Sequence, residues 1–274
     1  MTDDATRRVA TSRCESGRLR EAGDLVACEE PLEIHLDGAP FVVVMRTPGA
    51  DRELALGLLL AEGIVGSAKD VASVHHESVA PDPDAAGNVI RVNLRPGLRV
   101  DLDSLRRNLY ASASCGVCGK ASIEAALRTA PPLRDPARFA AAFFPPLVGR
   151  LREAQRAFAE TGGLHAAALF DANAKLLVVR EDVGRHNAVD KVVGWALERE
   201  LLPLAGHVLL VSGRISFEVA QKALAAWIPV VAAVSAPSSL AVALAEASGM
   251  ALVGFLRGGG FNVYGARTRI EAPS

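Results

Sequence analysis

The chain predicts an α/β fold in which a layered sheet is covered by helices on both faces. Three observations carry this. From about Leu109 onward, strand-like and helix-like segments alternate. The strands are almost wholly apolar, as strands buried on both sides are. The loops that follow them are polar or glycine-rich, and ligands collect at such loops in open α/β sheets. The first hundred or so residues read differently, as a smaller α+β unit. The expected division is therefore residues 1–108 and 109–274, with the seam just before a cysteine-containing loop.

Within the first unit, residues 1–16 (MTDDATRRVATSRCES) lack the apolar run of a signal peptide and are expected to form a frayed, polar start. Leu32, Ile34 and Leu36 alternate with Glu33 and His35, predicting a half-buried strand. Asp37-Gly38 turns it into a second strand over Phe41 to Met45. A helix follows, with Asp51 as its expected N-cap and Gly63 past its end. Strand-like runs over Val71 to Val79 and Val89 to Leu94 flank the loop-forming PDPDAAGN.

In the second unit a helix begins near Cys118 and stops by Pro131-Pro132. Leu147, Val148, Leu151, Ala154 and Phe158 mark one face of a helix over roughly Pro145 to Glu160. Ala166 to Phe170 and Leu176 to Val179 pair around DANAK. Then come helix Asn187 to Glu198, strand His207 to Val211, helix Ser216 to Trp227, strand Pro229 to Val234, helix Ser238 to Ala247 and strand Ala251 to Leu256.

Length and composition bound the function classes. The 274 residues are half apolar and 22% charged, enough to bury a substantial core. Thirty basic and 31 acidic residues leave a net charge of −1, which argues against a general nucleic-acid or membrane-surface coat but permits a local basic pocket. The stretch Ala223 to Ala245 is free of charge, but Pro229, Pro237 and three serines interrupt it, so no spanning helix is expected. Four cysteines are too few for a disulfide framework and fit reactive thiols in a reducing cytoplasm.

The sharpest local signal is SASCGVCGK, Ser112 to Lys120. Glycines around Cys115 and Cys118 make a flexible turn, the helix-forming ASIEAALR follows, and Lys120 adds a positive charge. A helix N-terminus and a nearby cation both favour thiolate over thiol. Such a pair suits disulfide exchange, metal binding or carriage of a persulfide sulfur. Zinc is disfavoured: one Cys-x-x-Cys is half a tetrahedral site, and Cys14 and Cys28 lie far upstream. A zinc deaminase would need His-x-Glu ahead of Pro-Cys-x-x-Cys, whereas here Ala188 stands two residues after His186 and no proline precedes Cys115. No metal is therefore expected.

Four further loops share one geometry, leaving a strand and entering a turn or helix. EDVGRHNAVDK crowds Asp182, Arg185, His186 and Asn187 at a helix entrance, SGRISFEVAQKA places Ser212, Gly213 and Arg214 in a turn, and VSAPSSL repeats the pattern with serines. LVGFLRGGGFNVYG sets Arg257 and three glycines directly after a strand. Arginine forks and approachable glycine backbone suit an anion- or nucleotide-binding rim. Ordinary polar turns remain the bland alternative for each loop taken alone, since neither GxxxxGK[ST] nor GxGxxG occurs.

Taken together, SASCGVCGK, EDVGRHNAVDK, SGRISFEVAQKA and LVGFLRGGGFNVYG resemble, in order from roughly Leu25 to Tyr264, the formate dehydrogenase accessory sulfurtransferase family (FdhD). The resemblance implies a cytidine-deaminase-like layered α-β-α fold for the second unit, without that fold's zinc ligands. It implies a sulfur carrier, loaded with a persulfide by a cysteine desulfurase. The sulfur goes to bis-molybdopterin guanine dinucleotide before that cofactor enters formate dehydrogenase. By position, Cys115 would carry the persulfide with Cys118 as its partner. The cofactor-contacting segment would be Phe255, Leu256, Arg257, Gly258, Gly259 and Gly260, joined on the rim by Arg185, His186, Ser212 and Arg214. The family pattern has a basic residue where this chain has Gly260, leaving Arg257 as the nearby charge. A chaperone that holds the cofactor without transferring sulfur is the alternative. A homodimer is compatible with docking to large partners, although no interface is legible; nucleic acid and membrane are not expected as partners.

Overall fold

The computed structural model describes residues 5–77, 87–98 and 132–272, with isolated positions 100, 123, 126, 127 and 130. The cysteine loop and the expected seam near residue 109 lie outside the described residues; of the expected helix after the loop, positions 123, 126 and 127 are described and are helical.

The N-terminal segment corrects the expectation of a frayed start. Strands β1 (Thr6–Glu15) and β2 (Arg18–Ala27) pair antiparallel along their whole length. Their turn, Ser16-Gly17, has φ of 51° and 78°, the double left-handed geometry that matches hairpin twist. The ladder is largely exposed on both faces, so no alternating apolar pattern announces it.

Next comes a four-stranded sheet in the order β4-β3-β6-β5, built from β3 (Glu30–Leu36), β4 (Ala39–Arg46), β5 (Val71–His76) and β6 (Val89–Leu94). Leu32, Ile34 and Leu36 face inward as their alternation predicts. Helix α1 (Asp51–Ala61) crosses behind it, and its cap differs from expectation. Ala50, in the left-handed region, is the N-cap, and Asp51 is the first helical residue. The Asp51 carboxylate is instead taken by the buried Arg46 guanidinium, whose Nε and Nη2 donate to its two oxygens at 3.0 Å each.

The remaining elements are β7 (Phe139–Ala140), α2 (Pro145–Ala154), α3 (Arg156–Thr161), β8 (His165–Phe170), β9 (Leu176–Asp182), α4 (Arg185–Glu198), β10 (Val208–Val211), α5 (Phe217–Ala225), β11 (Val230–Ala233), α6 (Ser239–Ser248), β12 (Ala251–Arg257), β13 (Gly260–Gly265) and β14 (Ile270–Glu271). The single helix expected over 145–160 is two, broken at Gln155. Glu181 explains the break: its carboxylate accepts from the freed backbone N–H groups of Ala157 and Phe158 at 3.0 and 2.8 Å.

Strands β8 to β13 form a six-stranded mixed sheet in the order β13-β12-β11-β10-β8-β9. Strands β10, β11 and β12 are mutually parallel. Strand β8 is antiparallel to both β10 and β9, so β9 runs with the parallel set. Alternate residues enter two clusters. Ala166, Ala168, Phe170, Val208 and Leu210 pack against Phe144, Leu147 and Leu151. Ala167, Leu169, Leu209 and Val211 join a second cluster with Val189, Val192 and Val193 of α4. That second cluster continues into Leu32, Ile34, Leu54 and Ile90 of the first sheet and α1.

Helices α1 and α4 meet through two glycines. A Cβ on Gly57 would lie 1.9 Å from the carbonyl oxygen of Asp190, and one on Gly194 would lie 1.8 Å from that of Glu53. Only glycine permits so close an approach. No helix among the described residues is long and apolar enough to cross a membrane.

Candidate functional site

Because β9, β10, β11 and β12 share one direction, their C-terminal ends lie along one edge of the six-stranded sheet. Four inter-strand steps of about 4.8 Å place β9 and β12 roughly 19 Å apart along it. Helices α4, α5 and α6 all begin there. The loops are stitched to one another: His186 to Ser216 (Nε2 to Oγ, 3.0 Å), Ile215 to Pro237 by a parallel bridge, and the Phe255 N–H to the Ser235 carbonyl at 2.9 Å. Ser216 and Ser238 spend their hydroxyls on capping α5 and α6, accepting from the N–H groups of Val219 and Ala241.

Buried charges hold this edge from below. Asp182, wholly buried at the end of β9, accepts from the backbone N–H of Thr47 and of Gly184, from Asn187 Nδ2, and from Lys191 Nζ at 2.7 Å. Lys191 is also buried and donates to the Thr47 carbonyl at 2.8 Å. The β4–α1 connection and the Val183–Asn187 turn are thus fixed to one carboxylate, with its charge matched. One position earlier, buried Asp190 accepts two contacts from Lys222 of α5, at 2.7 and 2.8 Å. Burial pushes the Asp190 carboxyl up, with Lys222 pulling the other way.

The predicted site residues fall as follows. Cys115 and Cys118 lie outside the described residues. Arg185 is the first residue of α4, half-buried, and its Nε is a buried donor that finds no hydrogen-bond partner among the described residues. His186 Nε2 stands 2.8 Å from a Glu218 carboxylate oxygen, and that hydrogen bond holds the Glu218 carboxyl below the usual range. Ser212 continues the β8–β10 ladder, its hydroxyl accepting from the Ala166 N–H at 2.9 Å. Arg214 is exposed.

At the far end, a bulge between Gly254 and Arg257 puts Phe255 at φ 56° and shifts the alternation of β12. Leu256 consequently joins Ala251 and Val253 in the Phe144 cluster, leaving its backbone to the rim. Arg257 is exposed with its guanidinium 5.8 Å from the Phe255 ring centre. Gly258 and Gly259, at φ 59° and 82°, make the turn into β13, and a Cβ on Gly258, Gly259 or Gly260 would meet nothing within 4 Å. The glycine run is therefore backbone laid open to approach.

Comparison with known proteins decides the family. The family model described as FdhD/NarQ matches residues 27–271. The chain belongs to the FdhD/NarQ family. Among curated FdhD/NarQ relatives, the sulfur carrier protein FdhD of Mycolicibacterium paratuberculosis is 54% identical, over 97% of this chain and 98% of its own. That of Streptomyces coelicolor is 50% identical over 97% and 95%. The crystal structure of a candidate formate dehydrogenase accessory protein from Desulfotalea psychrophila superposes with a TM-score of 0.77 at 25% identity, covering 97% of this chain and all of that one.

Sequence reasoning on this FdhD/NarQ chain misses two residues of the edge. His165 begins β8, the strand that runs against its neighbours, and so starts where they end. Its imidazole is pushed below the ordinary histidine value by burial, then by the charges of Arg185 and His186, with Asp182 opposing. Glu218 reaches the same edge from α5. Neither carries a local motif; only strand order brings them to the site.

Proposed function

We propose that this chain is a sulfur carrier: it takes sulfur from a cysteine desulfurase as a persulfide on Cys115 and passes it to bis-molybdopterin guanine dinucleotide bound for formate dehydrogenase. The observation that carries this reading is the convergence of the loops after β9, β10, β11 and β12 on one sheet edge, in a chain about half identical to proteins named sulfur carriers.

Loading is a thiol exchange. The terminal sulfur of the desulfurase persulfide is attacked by the Cys115 thiolate; the donor's S–S bond breaks, its cysteine leaves as thiolate, and a new S–S bond forms on Cys115. Delivery needs two electrons, because a persulfide's terminal sulfur must leave at the sulfide level. Attack of the Cys118 thiolate on the Cys115 sulfur supplies them, forming a Cys115–Cys118 disulfide and expelling the outer sulfur. A dithiol reductant then restores the pair.

The edge fits a guanine dinucleotide as sulfur acceptor. The orphaned Nε of Arg185 needs an acceptor, and Gly258–Gly260 leave backbone open. Phe255, Leu256, Arg257 and the three glycines would hold one end; Arg185, His186, Ser212 and Arg214 would hold the other. The bound cofactor contributes the metal centre that receives sulfur. The strand order, with antiparallel β8 set between the co-directional β9 and β10 and antiparallel β13 at the far edge, supports a cytidine-deaminase-like second unit after a smaller first one. Cysteines of this kind work reduced, which supports a cytoplasmic location as part of the proposal, with homodimerisation a further part of it.

The test is incubation with a desulfurase and free cysteine followed by peptide mass spectrometry. Sulfur gained at Cys115 supports the carrier. A chain that gains none, yet still matures formate dehydrogenase as a Cys115→Ala variant, is a cofactor chaperone instead.

A further inference from the structure

We propose that the β1–β2 hairpin is a docking arm that grips an acidic face of the cysteine desulfurase and holds it against the loop-bearing edge of the six-stranded sheet. This rests on the sulfur-carrier reading and adds to it the surface by which the donor is recognised.

The arm stands out from the rest of the chain. From Ser12 to Glu21 every residue is exposed, and Leu19, close to the turn, is 72% exposed. A lone two-stranded ribbon gains little from its own folding, and both its edges keep unpaired backbone groups. Its register sorts the charges. Arg13 stands directly opposite Arg20, and Glu15 opposite Arg18. Opposed residues share a face, and faces alternate along a strand. Arg7, Arg13, Arg18 and Arg20 therefore lie on one face, with Glu15 and Asp24. Of the arm's five arginines, Arg7 makes the sole ion pair among the described residues, with Glu30 at 3.2 Å. Like charges directly opposed weaken a ladder, and carboxylates from a partner would turn that repulsion into attraction.

The root of the arm is at the site. The Cys28 carbonyl, just after β2, accepts from Thr47 Oγ1 at 2.9 Å. Thr47 in turn meets the end of β9, its N–H donating to Asp182 and its Oγ1 accepting from the Val183 N–H at 3.1 Å. A Cβ on Gly163, just before β8, would lie 3.5 Å from Ala27 Cβ. A protein gripped by the arm is thus held beside the β9 end of the edge.

The occupant follows from chemistry. A run of phosphates would meet Glu15 and Asp24 among the arginines, and a second copy would set arginine against arginine. A protein face can interleave carboxylates with an apolar pocket for Leu19. Thiol exchange passes sulfur only between sulfurs in contact, so the donor protein has to be held while it happens.

The experiment measures binding of the organism's own cysteine desulfurase to the full chain by calorimetry at low and physiological salt. Arg13→Glu/Arg20→Glu and Leu19→Ser should each weaken binding about tenfold or more, and the charge reversal should flatten the salt dependence. Arg8→Gln, on the opposite face, should stay within about twofold. Arg13→Gln/Arg20→Gln removes the like-charge pair without adding a new one, so it keeps the ladder and should still bind more weakly than wild type. No binding by wild type, or reversal variants within about twofold of it, would overturn the arm. So would a reversal that spares the desulfurase and instead abolishes binding of formate dehydrogenase, single-stranded DNA or anionic vesicles, or splits a dimer. Sulfur loading is read separately on wild type. Loading with arm-independent binding sinks the arm alone; arm-dependent binding without loading sinks the carrier alone.

Discussion

The two faces of the six-stranded sheet are packed by different chemistry. One face rests on an apolar cluster in which Phe139, Phe143, Phe144 and Phe261 stack at ring separations of 5.0 to 6.3 Å. The other carries α4, whose Asp190 and Lys191 are buried among valines and alanines with Asp182 of β9, and two close ion pairs tie α4 to β9 and α5. Aromatic packing fills space without directing anything outward. Buried ion pairs are poor sources of stability, but they fix loops to a scaffold when both partners are present. The charges lie on the face whose helices open onto the rim, where fixed loops matter.

Each face should fail in its own way. Phe144→Ala should cost about 4 kcal/mol, from lost burial and a cavity, with the same cost at pH 5 and pH 8. Lys222→Met should cost about 3 kcal/mol at pH 8, because it leaves the Asp190 carboxylate buried and unpaired. Here the sign matters. Burial raises the Asp190 value in the folded chain, so above the ordinary aspartate range the folded state binds more protons than the unfolded one. Stability then falls as pH rises through that window. With Lys222 removed the window widens, so the penalty should shrink at pH 5, where a protonated Asp190 buries at lower cost. Urea denaturation at the two pH values checks both variants; a pH-independent Lys222→Met would break the contrast. Gly194→Ala should cost about 2 kcal/mol by forcing α1 and α4 apart, read as a lower thermal midpoint. Glu181→Gln should cost about 1 kcal/mol by weakening the cap on α3.

What was legible in the sequence was what local periodicity encodes. The alternation of apolar strands with helices, the Asp37-Gly38 hairpin, and the starts of α5 and α6 near Ser216 and Ser238 could all be read. What was not legible depends on distant parts of the chain. The β1–β2 hairpin is stabilised by its ladder and not by an apolar face, so it left no pattern. Asp51 looked like a cap, but its carboxylate is claimed by Arg46, five residues earlier, a side-chain pairing that no helix-start pattern encodes. The break at Gln155 needs Glu181, and the contact of Gly57 with Asp190 needs two helices 130 or so residues apart to meet. On the rim, Arg185, His186, Arg214 and Arg257 announced themselves by residue type. His165 did not, because its place follows from the reversed direction of β8, and strand direction is a property of the whole sheet.

The proposal that Cys115 carries sulfur stands or falls on the mass of the peptide that contains it. After incubation with a cysteine desulfurase and free cysteine, the peptide holding Cys115 should gain one sulfur atom that a thiol reductant removes, and Cys115→Ala should abolish the gain. An unmodified Cys115 peptide under conditions in which the desulfurase itself bears a persulfide would contradict the account.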